Sequence, residues 1–254
     1  MRKLSVLCIL FLFVHGCTTQ KNVTSLSLNV PEVHKGILQG YLSEHELPNS
    51  LSLVPPPPEE GSAAYALDLD VASKYVSSTD EARKEQATAD AHLGFPEAVD
   101  AFNIILDTKI SEEATPNLYM IMRRTLADAG LSTYAAKNYY ERERPFMMNN
   151  APICTPEDEE GLRSDGSYPS GHTAIGWAWA LILTEVFPDQ TDLILIRGKE
   201  FGISRNVCNV HWHSDVVAGR MMGAVAVAKL HTNEQFLIDL AAAKEEIKVL
   251  ENKN

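Results

Sequence analysis

Basic residues are in the minority in this sequence of 254 residues. It holds 22 Lys and Arg against 34 Asp and Glu, so the formal net charge is −12 with histidine counted as neutral. A chain of that charge repels the phosphate backbone of nucleic acids, which excludes nucleic-acid binding as a main function. A local cluster of Lys and Arg would have to form against this overall field and is therefore informative about function.

Long apolar runs are also missing after the first residues. Residues 4–14 form an apolar run that follows a basic start and is too short to cross a bilayer, a pattern typical of a signal peptide over 1–16. Cleavage after Gly16 fits this pattern, and so does a lipoprotein with a lipid anchor at Cys17. We therefore expect export to the periplasm and no membrane-spanning helix in the mature protein.

Cysteine is scarce, with four residues in the chain. Cys8 belongs to the predicted signal peptide and Cys17 lies at the cleavage site, which leaves Cys154 and Cys208. In an oxidising periplasm two remaining thiols favour one disulfide, and the alternative is two buried free thiols.

Strand signals are scarce as well. Residues 17–60 are mostly polar and aperiodic and include four consecutive prolines, so we expect an N-terminal arm there. From 61 to 254 apolar residues recur with helical spacing. The predicted helices cover 63–76, 79–92, 97–110, 116–143 with a break near Gly130, 173–187, 189–203, 214–230 and 233–251. This pattern predicts an all-α fold, a single-domain helical bundle over 61–254.

Three short blocks carry the residues suited to chemistry. In the first block, residues 137–145, Lys137 and Arg144 are seven positions apart and are expected to share one helix face. Pro145 should end that helix and leave Arg144 at its terminus. Arg142 lies off that face, and we expect it to form a surface ion pair. The alternative for this block is a solvated, charged helix end.

The second block, residues 166–173, reads Gly-Ser-Tyr-Pro-Ser-Gly-His-Thr and precedes an apolar stretch that predicts a buried helix. The backbone N–H groups of Ser170 and Gly171 would lie at the N-terminus of that helix, a geometry that binds phosphate oxygens. His172 follows them directly. A lone histidine is more often structural, but this position predicts a place at a cleft.

The third block, residues 204–215, adds Arg205 as a further cation. Asp215 follows His211 by four positions, so on a helical turn it could accept the Nδ1–H of His211 and leave Nε2 free as a nucleophile. Another interpretation makes His211, His213 and Asp215 metal ligands. That interpretation lacks further clustered His or Cys and gives the three cations no role.

Taken in order, the blocks give Lys-x6-Arg-Pro, Pro-Ser-Gly-His and Ser-Arg-x5-His-x3-Asp. With this pattern the chain resembles the class A bacterial non-specific acid phosphatases of the type 2 phosphatidic acid phosphatase (PAP2) superfamily, which also contains the vanadium haloperoxidases. The resemblance extends from about residue 53 to about residue 233, and all three blocks match. It implies a helical bundle of the PAP2/haloperoxidase type and a homo-oligomer.

The resemblance also implies an activity, the hydrolysis of small phosphate monoesters without a metal or other cofactor, and a side activity of phosphate transfer to alcohols. His211 would attack phosphorus to form a phosphohistidine, and Asp215 would orient it. His172 would protonate the leaving alcohol and then activate water. The implied phosphate ligands are Lys137, Arg144, Arg205 and the backbone of Ser170 and Gly171. An ordinary histidine pKa of about 6.5 then suits an acidic working range.

Two other functions fit the motifs in part. The same cluster of cations binds vanadate in the haloperoxidases, so a vanadate-dependent haloperoxidase is one alternative. A non-catalytic phosphate-binding lipoprotein is the other. Export, modest length and the form of the second block favour the phosphatase, and a binding protein would not need two histidines placed as acid and nucleophile. The sequence does not reveal which residues contact the leaving group.

Overall fold

Helices make up nearly all of the regular structure, which confirms the predicted all-α class. The computed structural model describes residues 30–252; the predicted signal peptide, Cys17 and the first part of the arm lie outside these residues. The only strands in the described range form an antiparallel hairpin of β1 (Glu32–His34) and β2 (Ile37–Leu38). No helix in the same range combines the length and the apolar content that a membrane span needs.

The helices follow one another with short connections. Along the described chain they are α1 (Ser50–Leu53), α2 (Ala63–Val76), α3 (Glu81–Ala89), α4 (Asp100–Asn103), α5 (Pro116–Leu131), α6 (Tyr134–Tyr140), α7 (Pro145–Asn149), α8 (Glu159–Arg163), α9 (Gly171–Val186), α10 (Thr191–Val207), α11 (His213–Leu230) and α12 (Glu234–Glu251). Single 3-10 turns lie at Glu97–Val99, Pro156–Asp158 and Pro188–Gln190.

Most predicted helices are present, but the one predicted over 97–110 is wrong beyond α4. The side chain of Asn103 accepts the Ile110 N–H at 2.8 Å and donates to the Ile110 carbonyl at 3.0 Å. These two bonds close a loop and replace the backbone bonds that a helix would make. The helix predicted over 189–203, by contrast, continues to Val207 and so contains Arg205 in its last turn.

Helix α9 lies at the centre of the bundle and contacts α5, α10, α11 and α12. Trp179 on α9 is fully buried, and its indole N–H donates to the Met122 carbonyl at 2.9 Å. Helix α11 crosses the start of α9 closely at Gly219, where a Cβ would lie 2.5 Å from the Ser170 carbonyl oxygen. A glycine at this position is therefore required for the second and third blocks to meet.

The described part of the predicted N-terminal arm packs against the helices. The backbone N–H groups of Tyr41 and Leu42 each donate to the buried carboxylate of Asp128 on α5 at 2.9 Å. Burial raises the pKa of Asp128 to about 6, against the opposing effect of these two bonds. The contact holds the start of the described chain on the bundle beside the site described below. The boundaries of the arm at 17–60 and of the domain at 61–254 stay predictions.

Cys154 and Cys208 form a disulfide that closes a sequence separation of 54 residues, so this predicted pair is confirmed. Cys208 is buried and caps the C-terminus of α10. The bond ties the loop after α7 to the segment that leads to His211. It therefore restricts the third block in the unfolded chain as well as in the folded one.

Candidate active site

The three blocks meet where α9 and α11 begin. His211 lies in the short segment before α11, and its Nδ1 is 3.3 Å from Oδ2 of Asp215 in the first turn of that helix. The same carboxylate oxygen accepts the Trp212 N–H at 2.8 Å and the hydroxyl of Ser167. His211 and Asp215 are therefore in contact. The N-terminus of α11, and not one continuous helical turn, brings the two side chains together.

Arg142 holds the other oxygen of Asp215. Its Nη1 donates to Oδ1 of Asp215 at 2.7 Å, and its Nη2 donates to Oδ2 of Asp68 at 2.8 Å. Asp68 is itself fully buried and accepts the N–H and the hydroxyl of Ser214. The prediction of a surface ion pair for Arg142 is therefore wrong, because α2 packs over this arginine and leaves 11% of its side chain exposed.

Lys137 and Arg144 point toward each other, but they do not share a helix face as predicted. Helix α6 ends at Tyr140 because Glu141 takes a left-handed conformation with φ 43°. Arg144 is extended and Pro145 begins the next helix instead of ending the last one. The turn between α6 and α7 brings the two cations together.

Both cations are buried and both contact one carboxylate, that of Asp165. Its Oδ2 lies 3.1 Å from Nζ of Lys137 and 2.9 Å from Nη2 of Arg144. Burial, and then the charge of Arg144, lower the pKa of Lys137 to about 8. The site therefore already contains one internal anion, which the sequence analysis did not identify.

Arg205 is the third cation, and it is differently placed. It is buried in the last turn of α10, and its Nε and Nη1 have no hydrogen-bond partner among the residues that the structure describes. Burial, followed by the charge of Arg144, lowers the pKa of Arg205 to about 10. Buried donors without partners are rare and costly in proteins, so this side chain indicates a place for an anionic ligand.

The two histidines are held in opposite ways. Nε2 of His211 accepts Nη1–H of Arg144 at 3.0 Å, which places the proton of the neutral ring on Nδ1, toward Asp215. Nε2 of His172 donates to the Ala91 carbonyl at 3.0 Å. Burial is the largest cause that lowers the pKa of each ring well below its usual value, and the charges of Arg205 and Arg144 add to it. Both shifts favour the neutral form of the ring.

The backbone N–H groups of Ser170 and Gly171, both predicted to bind phosphate, differ in their surroundings. The N–H of Ser170 donates to the backbone carbonyl of Asp215 at 3.0 Å, so it is already engaged within the protein, and its predicted contact with phosphate stays a prediction. Its hydroxyl instead caps α9 by accepting the Thr173 N–H. Gly171, the first residue of α9, lies beside Lys137, where an added Cβ would be 3.9 Å from that side chain's Cε.

A cavity of about 240 Å³ opens onto these side chains. Lys137, Arg144, Gly171, His172 and His211 form its polar wall. An apolar wall comes from the β1–β2 hairpin, the loop after α3, and helices α5 and α9. Its members include Val33, Ile37, Leu93, Leu126, Leu131 and Ile175. This wall could not be predicted from the sequence, because its residues come from four distant segments.

A metal site finds no support in this geometry. In the range 30–252 no group of three or more His, Cys, Asp or Glu side chains is placed to hold a metal ion. The carboxylate of Asp215 is taken up by Arg142, Ser167 and the N–H of Trp212. The interpretation of His211, His213 and Asp215 as metal ligands is therefore not supported.

Known proteins resemble this chain over most of its length. A family model described as the PAP2 superfamily matches residues 118–237. The chain is 42% identical over 207 residues to a non-specific acid phosphatase of Providencia stuartii, an overlap that covers 81% of this chain and 84% of the relative. It is 40% identical over 211 residues to a non-specific acid phosphatase of Salmonella typhimurium, covering 83% and 84%. An acid phosphatase of Zymomonas mobilis is 39% identical over 192 residues, covering 76% and 73%.

The contrast between two arginines of the site generates a prediction about stability. Arg142→Met leaves two buried carboxylates, Asp68 and Asp215, without their shared cation. Because removing one member of a buried ion pair leaves an uncompensated charge, we expect the free energy of unfolding to fall by roughly 3–5 kcal/mol. Urea denaturation followed by circular dichroism measures this change.

The matched control is Arg205→Met, which removes a buried charge that has no carboxylate bonded to it. This variant should unfold at the same urea concentration as the wild type or at a higher one, because it relieves a desolvated cation. Equal losses of stability in the two variants would contradict the assignment of Arg142 as a partnered arginine and Arg205 as an unpartnered one.

Proposed function

The chain belongs to the PAP2 superfamily, and we propose that it is an exported acid phosphatase that hydrolyses phosphate monoesters through a phosphohistidine and without a metal ion. The phosphatase class follows from the family and from 39–42% identity to acid phosphatases over most of the chain. The observation that supports the mechanism best is the pair of unpartnered N–H donors on Arg205 beside a histidine whose Nε2 carries the lone pair.

Binding of the phosphate group is the first step. Lys137, Arg144 and Arg205 supply positive charge, and the N–H of Gly171 at the start of α9 adds the positive end of a helix dipole. In phosphoryl transfer the transition state spreads negative charge over the non-bridging oxygens, so these donors stabilise it. Ser170 supports the site from behind by capping α9.

His211 is the proposed nucleophile. Before phosphate binds, Nη1–H of Arg144 donates to Nε2 of His211. A bound phosphate oxygen would accept this hydrogen bond instead, which frees the lone pair on Nε2. Nε2 then bonds to phosphorus while the bond to the leaving oxygen breaks. The Nδ1–H of His211 continues to donate to Asp215, and the negative charge of that carboxylate stabilises the positive ring of the intermediate.

His172 is the proposed acid and base. It must carry a second proton to give one to the leaving oxygen, and it then takes a proton from the water that attacks the phosphohistidine. The hydrogen bond from its Nε2 to the Ala91 carbonyl leaves Nδ1 to exchange that proton. Attack by an alcohol instead of water would transfer the phosphate, which is the proposed side activity.

The apolar wall of the cavity faces the leaving group in this arrangement. Side chains such as Leu126 and Ile175 offer no hydrogen bonds. We therefore infer that small monoesters with an apolar or aromatic alcohol bind better than those with a strongly polar one.

Export to the periplasm, the lipid anchor at Cys17 and the homo-oligomer remain proposals that rest on the sequence.

One assay set tests the mechanism. The protein should hydrolyse an aryl phosphate such as para-nitrophenyl phosphate at acidic pH with a chelator present, and His211→Ala should lose roughly 10³-fold or more in kcat. His172→Ala should lose more with an alkyl phosphate than with the aryl phosphate, because nitrophenolate leaves without a proton.

The matched control is His213→Ala, which alters the other histidine of the third block and should keep its activity. Loss of activity to the chelator and in His213→Ala together would contradict the metal-free mechanism. Bromination of a dye by peroxide in the presence of vanadate, without phosphate hydrolysis, would favour the haloperoxidase. Phosphate binding with neither activity would favour the binding lipoprotein.

The lowered histidine pKa values generate a prediction about pH. In the free protein the pKa of His172 lies well below 6.5, so the protonated acid is lost as pH rises through that low value. A bound phosphate dianion neutralises the surrounding cations and raises this pKa. Because kcat/KM reports the free protein and kcat reports the complex, the falling limb of kcat should lie at higher pH than that of kcat/KM.

Steady-state kinetics on an alkyl phosphate, whose leaving alcohol needs a proton, separates the two limbs when the release of inorganic phosphate is measured across pH. In His172→Ala the falling limb of kcat should disappear. Coincident limbs in the wild type, or an unchanged limb in the variant, would show that His172 does not supply the proton.

A further inference from the structure

The carboxylate of Asp165 occupies a place that a phosphate oxygen would need. A single oxygen, Oδ2, contacts both Nζ of Lys137 and Nη2 of Arg144, two of the three cations of the site. Nζ of Lys137 also donates to the Gly166 carbonyl. The anion held by these two cations is therefore part of the protein itself.

The other donors of Arg144 are engaged by the protein. Its Nε donates to the Leu162 carbonyl at 2.8 Å, and its Nη1 donates to the Val210 carbonyl at 2.9 Å and to Nε2 of His211. Apart from the Nη1–H that phosphate takes over from His211 in the proposed mechanism, a ligand that approaches this arginine meets the Nη2 group, where Asp165 lies. Phosphate cannot gain the full charge of Arg144 while that ion pair persists.

Exposure shows which partner can leave. The Lys137 and Arg144 side chains are 4% and 1% exposed, whereas the Asp165 side chain is 35% exposed. Asp165 lies just after α8 and ahead of the second block, at the rim of the cavity. Its carboxylate can regain hydration by turning outward, whereas the two cations cannot, so Asp165 is the member of the ion pairs that can leave.

We propose that Asp165 is an internal competitor for the phosphate site. Substrate phosphate displaces the carboxylate from Lys137 and Arg144, and the carboxylate returns to them as inorganic phosphate leaves. Asp165 thus keeps two buried cations paired in the empty site and weakens the hold on the product. This inference rests on the proposed function, since it assigns phosphate to the same cations.

Asp165→Asn tests the proposal, because asparagine keeps the shape and removes the charge. Isothermal titration calorimetry with inorganic phosphate should give a dissociation constant roughly 3- to 10-fold lower than that of the wild type. The inhibition constant of inorganic phosphate against para-nitrophenyl phosphate should fall by the same factor. Asp165→Ala should change both constants in the same direction.

Glu159→Gln is the matched control. Glu159 lies on the neighbouring α8, is 41% exposed and pairs with Arg163 at 2.6 Å, away from the two cations. This substitution removes the same charge from a partly exposed residue six positions earlier and should leave phosphate affinity unchanged. Equal gains in Glu159→Gln and Asp165→Asn would mean that overall charge, and not competition, sets the affinity, and would overturn the proposal.

Weaker or unchanged phosphate binding in Asp165→Asn would also overturn it, since a residue that only orients Lys137 and Arg144 gives that result. The calorimetry needs no turnover, so it tests the competition by Asp165 separately from the proposed phosphatase function. A wild-type protein that binds phosphate but hydrolyses no monoester would contradict the proposed function, and the effect of Asp165→Asn on phosphate binding could still be measured.

Discussion

Three cationic side chains, Lys137, Arg144 and Arg205, are buried close together beside the N-terminus of α9, and the arrangement around them reflects the difficulty of keeping charge away from water. Asp215, a buried carboxylate of the same site, is already paired with Arg142. Asp165, at the rim of the cavity, forms ion pairs with Lys137 and Arg144. Two N–H donors of Arg205 have no hydrogen-bond partner in the described part of the chain. An acidic protein thus maintains a small region of positive charge with which an anionic ligand can pair.

The same positive charge acts on the histidines. After burial, which has the larger effect, it lowers the pKa of His172 and of His211 and so favours the neutral form of both rings. Neutral His211 is suited to attack, since its proton lies on Nδ1 toward Asp215. In the proposed mechanism His172 needs a proton, and the negative charge of the phosphate would raise the pKa of that ring. Substrate binding and proton supply would then be coupled through charge, which would give a preference for acidic pH a physical cause.

Much of the fold follows from local sequence. The bounds of α2 match the prediction because Ser62 caps it, and the apolar stretch before Pro188 forms the central helix α9. The meeting of the three blocks was implied by the resemblance of their motifs to those of the acid phosphatases. The supporting residues were not: on α2 the neighbouring Leu67 and Leu69 are 48% and 43% exposed while Asp68 is fully buried. Helical periodicity favours burial of the leucines, and only contact with Arg142 and Ser214 explains the reverse.

The most direct test is to trap the covalent intermediate. Rapid quenching of the protein with a radiolabelled aryl phosphate, followed by peptide mapping, should give a label that is stable to base, labile to acid and attached to His211, and His211→Ala should carry none. A label on another residue, or turnover with no labelled protein at any quench time and pH, would contradict the account.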